Sequence, residues 1–310
     1  MSSTDTALDT LLSSIRMHKQ ALEGAAHLEI DGNKILGMGS VPGFHLETDT
    51  DGDGIVIRVR VEEGYRFEKP VHLCFGMTPE EGLQKIDMGV EVEEGAEVSF
   101  VAHCTFPNAV EVQHLMDAVL RVGPHAKYSY FERHVHSENS GITVVPKSKI
   151  ELAEGAVFKT EFELLKGRVG VMDIDYDALC AAKSQLDMTA RIYARGNDRI
   201  KIREAARLAG EGAVGVLTSH LAVRDDSSAE IYNELIAEAA GARGHVDCKE
   251  IVQDRGTARA IPIVSVNHPL AHVTHEAAIG SVDSKQLQTL MARGMDEEAA
   301  TDLIIQGLLS

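Results

Sequence analysis

The feature that most constrains the fold is the alternation of apolar and polar residues in short segments that follow similar turns. Ile55–Val61 and Val98–Phe106 both show this period of two, which is typical of β-strands. The turn glycines that precede such segments recur about every 30 residues, and they are Gly64, Gly95, Gly123 and Gly155. Short strands at a regular spacing predict a β-solenoid or a β-sandwich.

Turn chemistry separates these two architectures. A sandwich needs tight hairpins, for which Asn-Gly and Asp-Gly are the strongest signals. Asp-Gly occurs at Asp31-Gly32, Asp51-Gly52 and Asp53-Gly54, and neither dipeptide occurs after residue 60. We therefore expect a mainly β protein in which residues 60–270 form a parallel, β-helix-like stack. In such a stack one row of side chains points inward and the alternate row is free for chemistry.

Helical patterns are confined to the two ends of the chain. The N-terminal pattern places Leu8, Leu11 and Leu12 on one face. Near the C-terminus, Asp283 and Asp296 each precede a short apolar pattern as N-cap residues. The predicted organisation is an N-terminal helical segment (1–30), a β-helix core (31–280) and C-terminal helices (281–310). Because two short helices are not stable alone, the last two must pack on the core, on a partner, or on both.

The composition excludes several classes of partner. The chain has 30 Lys and Arg against 48 Asp and Glu, a net charge of −18, so it lacks the basic surface that nucleic acids require. Its apolar runs are shorter than the roughly 18 residues of a transmembrane helix. Its first residues lack the basic and apolar regions of a signal peptide. We therefore expect a cytoplasmic protein that binds neither nucleic acid nor membrane.

Motifs for catalysis are also missing from the sequence. No Gly-Lys-Ser/Thr follows a glycine-rich run, so the chain should not hydrolyse ATP itself. His275-Glu276 begins like the zinc-protease motif, but Ile279 occupies the position of its second histidine. With no tryptophan and 5% aromatic residues, a carbohydrate-active β-helix enzyme is disfavoured, because such sites stack sugars on aromatic rings. We expect the chain to have no enzymatic activity of its own.

The four cysteines are too few for a disulfide framework, and they contain no Cys-x-x-Cys pair. Any metal must therefore be held by residues distant in sequence. Cys74, Cys104 and Cys180 have apolar neighbours, which predicts thiols packed in the core. Cys248 differs, because polar residues such as Lys249 flank it. This setting predicts an accessible thiol, which is either an incidental surface cysteine or one that binds iron or carries sulfur.

Two further groups of side chains are candidate ligands. Glu276, with His275 beside it, would form a mixed sulfur, oxygen and nitrogen set with Cys248, which holds a cluster less firmly than four thiolates. The second group is a series of histidines in consecutive strand-like segments, for which a structural role and metal or sulfur handling both stay open. It comprises His103 beside Cys104, then His114, His125, His134 and His136.

Several motifs near the C-terminus occur together in the order and spacing of one protein family. They are Gly241-Ala242-Arg243-Gly244-His245-Val246-Asp247-Cys248, Val273-Thr274-His275-Glu276-Ala277, Arg293-Gly294 and Gln306-Gly307-Leu308. In this combination the chain resembles the SufB/SufD family of iron–sulfur cluster assembly scaffolds, over most of its length from residue 90 onward. It is similar to the compact, archaeal-type SufB-like members.

The resemblance implies a right-handed parallel β-helix, a homodimer joined through the β-helices, and C-terminal helices that bind the ABC-type ATPase SufC. It implies a transient iron–sulfur cluster, either 2Fe-2S or 4Fe-4S, with Cys248 as the cluster or sulfur cysteine. Glu276 would be a carboxylate ligand with His275 beside it, and a sulfur donor and apo-protein acceptors would be further partners. The family's upstream cysteine has only a loose match in Cys180, which leaves the route of sulfur transfer open.

Two roles within the family remain to be distinguished. A SufB-like subunit carries the cluster, whereas a SufD-like subunit uses the same fold to anchor SufC without one. The presence of both Cys248 and Glu276 favours the SufB-like role. In either role, ATP-driven closure of two SufC subunits would pull on the C-terminal helices and shift the scaffold interface.

Overall fold

Most of the chain lies in two parallel sheets that wind into one solenoid. The computed structural model describes residues 3–52 and 54–310. Beyond the first hairpins, strands alternate between the two sheets, and each pairs in parallel with strands of the neighbouring coils. The result is a parallel β-solenoid of about eight turns, which confirms the predicted mainly β fold with helices at both ends.

The strands are β1 (His27–Asp31), β2 (Lys34–Gly39), β3 (Phe44–Asp51), β4 (Gly54–Val61), β5 (Val71–Gly76), β6 (Glu81–Val92), β7 (Glu97–Phe106), β8 (Glu111–Val122), β9 (Lys127–His136), β10 (Ile142–Leu152), β11 (Val157–Lys166), β12 (Gly170–Cys180), β13 (Gln185–Ala194), β14 (Arg199–Leu208), β15 (Val214–Val223), β16 (Ser228–Ala237), β17 (Arg243–Val252), β18 (Thr257–Val266) and β19 (His272–Gly280). The helices are α1 (Ser3–Ser14), α2 (Ser284–Met291) and α3 (Glu297–Leu308), with a 3-10 turn at Lys19–Leu22. Strands β2 and β3 lie at one end of the stack, and β18 and β19 at the other.

The period-two pattern separates a buried row from an outer row in each strand. In β8, alternate residues from Val112 to Val122 are buried, and most of the residues between them are exposed. Their buried side chains join those of the opposite sheet in one continuous hydrophobic core along the lumen. The core excludes water because each coil covers the inward row of the coil before it.

One corner of every coil is closed by a ladder of backbone hydrogen bonds. In each case a backbone amide donates to a carbonyl of the next coil over 2.9 Å. The pairs are Gly95 to Pro124, His125 to Glu154, and Gly155 to Ala182. The donating residue has a left-handed φ, 65° at Gly95 and 66° at Gly155, which favours glycine at this position. The turn that contains Gly123 departs from the pattern, because its left-handed residue is His125 (φ 57°).

The first strands pair differently from the rest. Strands β1 and β2, and then β3 and β4, form antiparallel hairpins before the parallel stack begins. The Asp-Gly dipeptides at Asp31 and Asp51 lie at these hairpin turns, as their chemistry requires, and Asp53 lies outside the described residues. Helix α1 ends at Ser14 and β1 starts at His27, so the strands begin earlier than the predicted boundary at residue 31.

The C-terminal helices pack on the outside of the solenoid. Asp283 caps α2 by accepting a hydrogen bond from the Gln286 amide over 2.7 Å, and Asp296 caps α3 in the same way, as predicted. Helix α3 buries Ile305 against outward residues of β13, β15 and β17, which are Tyr193, Ala222 and Ile251. Within residues 3–52 and 54–310, none of the helices has the length and apolar character needed to cross a membrane.

Candidate functional site

Cys248 lies in β17 with its side chain in the lumen, and its exposed fraction is 0%. The prediction that the Cys248 thiol is accessible is therefore wrong. Its polar sequence neighbours Asp247 and Lys249 point to the outer surface, because adjacent residues of a strand face opposite sides of the sheet. Burial, followed by the charge of Glu250, raises the pKa of the Cys248 thiol to about 12. In this closed state the thiol holds its proton at neutral pH.

The lumen around Cys248 is polar. The Asn233 side-chain amide, which comes from β16 in the opposite sheet, lies 3.5 Å from Cys248 Sγ and donates to Ser219 Oγ over 2.9 Å. Ser219 is the register partner of Cys248 on the preceding coil. Asn233 Oδ1 is buried without a hydrogen-bond partner among the described residues. A thiol in this position has polar groups on two sides instead of a hydrocarbon core.

Two buried carboxyl groups complete this polar region. Glu250 lies two residues after Cys248 on the same inward row, and Glu204 is the register partner of Asn233 on β14. Both carboxylate oxygens of Glu250 and the Oε2 of Glu204 have no hydrogen-bond partner in the described part of the chain. Burial raises the pKa of Glu204 to about 8 and that of Glu250 to about 7. Unpartnered buried oxygens beside a thiol form a donor set for a cation.

Glu276 and His275 lie on β19, which pairs with β17. His275 is in register with Val246 and therefore lies on the row of Cys248, whereas Glu276 is in register with Asp247 on the outer row. Glu276 is 61% exposed, and its Oε1 lies 3.9 Å from Lys249 Nζ. The structure thus brings the three predicted residues onto neighbouring strands, but Cys248 and Glu276 face opposite sides of the sheet.

The upstream cysteines and histidines divide among several environments. Cys74 and Cys180 are buried, as predicted, and burial raises the pKa of each thiol to about 12. Cys104 is also buried, but its thiol donates to the carboxylate of Glu132 rather than facing hydrocarbon alone. His114, His134 and His136 are buried beside it, whereas His103 lies on the outer row and His125 in a turn. The structure therefore groups Cys104 with only part of the predicted histidine series.

Several residues of the polar regions around Cys248 and Cys104 were not predicted from the sequence. Glu250 had an available signal, because it shares the period-two row of Cys248. Asn233, Ser219 and Glu204 depend on which coil stacks on which, and that register cannot be read from local alternation. Glu132 was overlooked between two histidine-rich segments, although it shares the row of His134.

The comparisons with known proteins match most of this chain to one family. The sequence model of the family described as "SUF system FeS cluster assembly, SufBD core domain" matches residues 76–308. An iron–sulfur cluster assembly SufBD family protein of Methanocaldococcus jannaschii is 38% identical over 277 residues, 89% of this chain and 88% of the relative. A SufBD family protein of Pyrococcus horikoshii is 33% identical, over 92% of this chain and 86% of the relative. The iron–sulfur cluster assembly protein SufB of Bacillus subtilis is 22% identical, over 81% of this chain and 54% of the relative.

Proposed function

Because this chain belongs to the SufBD family of iron–sulfur cluster assembly proteins, we propose that it is a scaffold on which a cluster is built and then handed on. The observation that carries the proposal is the polar lumen around Cys248, one coil from the open end that bears His275 and Glu276. Thiol, carboxyl and imidazole groups are the donor types that bind iron. The chain supplies a site and no catalytic turnover of its own.

Opening of the last coil is the step that we infer for assembly. Cys248 faces the lumen and Glu276 the outer surface, so one cluster can contact both only if β19 moves relative to β17. Movement would also admit water to Cys248, which lowers the desolvation that keeps its thiol protonated. Iron would bind the thiolate that results. The closed and opened coils are thus a protected state and a loading state of one site.

We further propose that two copies pair through the open end of the stack. Strands β18 and β19 are the edges of their sheets, and edge strands with free backbone groups tend to be covered. Apolar side chains are exposed there, including Val264, Val266 and Ile279. A two-fold axis at this end would place two copies of Cys248 and Glu276 near each other and double the number of ligands.

The C-terminal helices suit a lever on which an ATPase such as SufC acts. Helix α3 packs on Ile251, which lies on the same strand as Cys248. Asp302 of α3 accepts hydrogen bonds from the Tyr193 hydroxyl and from Arg224, each over 2.8 Å. Leu303 is 46% exposed on the opposite side of the helix. A partner that grips this free face would transmit its movement to the strand that holds the thiol.

The SufB-like role is favoured over the SufD-like role. A subunit that only anchors SufC has no need of a thiol in contact with Asn233 or of unpartnered lumenal carboxyl groups, and buried polar groups of this kind cost stability. The donors of iron and sulfur and the acceptor proteins are further partners in this proposal. A cytoplasmic location, where thiols stay reduced, is the setting in which such a scaffold would act.

The test is anaerobic reconstitution with ferrous iron and sulfide, followed by visible and Mössbauer spectra. Cys248→Ser is expected to lose the cluster while keeping its fold, because the change is isosteric. Cys74→Ser is the matched control, since Cys74 is also buried but lies on β5, several coils from the Cys248 region. Equal iron and sulfide content in wild type and Cys248→Ser would contradict the proposal.

A further inference from the structure

A second group of ligand-type side chains lies in the lumen, several coils before Cys248. Cys104 Sγ on β7 lies 3.4 Å from Glu132 Oε1 on β9, and His134 Nε2 lies 2.7 Å from the same oxygen. One ligand atom from each of the three residues lies within 4.8 Å of the other two. All three residues are buried, and they form the one such group found in residues 3–52 and 54–310.

A chain of hydrogen bonds orients His134. His136 Nδ1 donates to the backbone carbonyl of Arg168 over 3.2 Å, so His136 Nε2 is left as an acceptor. That nitrogen lies 3.0 Å from His134 Nδ1, which must therefore donate to it. The arrangement directs His134 Nε2 toward Glu132 and Cys104. In metal sites, a hydrogen bond to the second ring nitrogen orients a metal-binding histidine in the same way.

One proton lies between His134 Nε2 and Glu132. The two atoms are 2.7 Å apart and both residues are buried, and a contact this short between an imidazole nitrogen and a carboxylate oxygen is a hydrogen bond through one proton. A cation that replaced this proton would meet a nitrogen lone pair and a carboxylate oxygen, which are two ligands. The Cys104 thiol would become a third ligand on losing its own proton.

His114 has a buried ring nitrogen without a hydrogen-bond partner among the described residues. The Gln84 side-chain amide donates to the carbonyls of Gly32 and Gly76, which fixes its oxygen as an acceptor. His114 Nδ1 donates to that oxygen over 2.8 Å, so its Nε2 carries a lone pair. This buried Nε2 has no hydrogen-bond partner among the described residues. The His114 ring centroid lies 6.2 Å from that of His134, but His114 is not among the residues whose ligand atoms lie within 4.8 Å of one another.

We propose that Cys104, Glu132 and His134 bind one divalent transition-metal ion such as Zn²⁺ or Fe²⁺ inside the solenoid, and that His114 becomes a fourth ligand only if its ring moves toward them. Sulfur, nitrogen and oxygen donors in a tetrahedral set are typical of these ions. The thiolate and the carboxylate balance the charge of the ion, so the lumen gains no net charge. Binding releases two protons, one from the thiol and one from between His134 and Glu132.

The site needs only a small expansion to accept an ion. In a tetrahedral zinc site, ligand nitrogen and oxygen atoms lie about 3.3 Å apart, whereas His134 Nε2 and Glu132 Oε1 now lie 2.7 Å apart. A cavity of about 40 Å³ adjoins Glu132 and is bordered by Tyr130 and Tyr176. It leaves room for the carboxylate to move, and the Tyr130 hydroxyl beside it has no partner within the described chain. This site is separate from the Cys248 region in both coil and ligands.

Titration of the full-length protein with Co²⁺ under anaerobic conditions tests the proposal. We expect one ion per chain, a thiolate-to-cobalt charge-transfer band, and release of two protons per ion. Cys104→Ser should abolish the band, and Glu132→Gln should reduce the proton release, while Cys248→Ser and Cys180→Ser leave the band unchanged. His136→Gln, which alters only the partner of His134, should weaken binding by about 10- to 100-fold.

The absence of a band in wild type, or a band that survives Cys104→Ser, would overturn the proposal. So would a band that is lost with Cys248. If Cys104→Ser fails to fold, anomalous diffraction from wild-type crystals soaked in Co²⁺ locates the ion without any substitution. If the ion lies anywhere other than in the lumen between β7 and β9, the proposal is wrong. Cluster reconstitution depends on Cys248, whereas Co²⁺ binding in the lumen depends on Cys104. The two proposals can therefore fail independently.

Discussion

Replacing Glu204 with Gln is expected to stabilise the folded protein above neutral pH. The Glu204 side chain is buried in the lumen, its Oε2 has no hydrogen-bond partner among the described residues, and burial raises its pKa from 4.5 to about 8. Between pH 4.5 and about pH 8, the folded chain keeps a proton on Glu204 that the unfolded chain has lost. The contribution of Glu204 to stability is therefore fully present below pH 4.5 and is lost as the pH rises through about 8.

The expected magnitude follows from the same shift. Stability falls by roughly 1.4 kcal/mol for each pH unit over this window, which gives about 3 kcal/mol at pH 7 and about 5 kcal/mol above pH 8. Glutamine has nearly the same shape and stays neutral in both states, so the Glu204→Gln variant should not show this loss. The difference in unfolding free energy between variant and wild type should grow from pH 5 to pH 8 and then remain constant.

Guanidinium unfolding of wild type and Glu204→Gln at pH 5, 6, 7, 8 and 9 measures this difference. Glu211→Gln is the matched control, because Glu211 is exposed in a turn and its replacement should produce no pH-dependent change. A difference between Glu204→Gln and wild type that does not vary with pH would refute the reasoning. It would mean that Glu204 is ionised in the folded chain and that water or a cation reaches it.

Three further predictions follow from the described structure. Leu303→Lys should weaken binding of a SufC-type ATPase in a pull-down. Val171→Lys, at a similarly exposed position on β12, is the control and should not weaken it. Equal loss of binding in both variants would exclude α3 as the docking face. Light scattering at micromolar concentration should give twice the chain mass of 33.6 kDa, and a monomer alone would contradict pairing through β18 and β19. Gly155→Ala should lower the thermal midpoint more than Gly64→Ala. Both glycines have a left-handed φ, but only at Gly155 would the added Cβ meet a side chain, the His125 ring. Equal shifts in the two alanine variants would show that the ring moves away without cost.

Local patterns in the sequence were sufficient to predict the architecture. Alternation in segments such as Val98–Phe106 predicted strands, the Asp-Gly dipeptides marked the early hairpins, and the capping residues Asp283 and Asp296 marked the last helices. These signals depend on residues that are close in the chain, so one sequence contains all the information needed. The turn before β9 was predicted from Gly123, but its left-handed residue is His125, which the spacing of glycines does not indicate.

The composition of the two lumenal sites could not be predicted in the same way. Polar neighbours made Cys248 look accessible, yet those neighbours occupy the other face of β17 and say nothing about the row of the thiol. The offset between residues in register is 30 between β8 and β10, 28 between β10 and β12, and 29 between β14 and β16. A change of one residue in this offset reverses which side chains share the lumen, so coil length must be known before a site can be assembled.

The stacking of coils also determines how the molecule comes apart. In a one-dimensional array each unit is held by its nearest neighbours, and a terminal unit has one neighbour instead of two. Strand β19 is such a unit, with nearly every residue exposed. In a chain that is not paired through this end, its amides should therefore exchange with deuterium sooner than those of β11 or β13, and local opening should begin there and travel inward one coil at a time. The residues next to this fraying end are those of the Cys248 region, so the least stable part of the solenoid adjoins the part that must take up and release cargo.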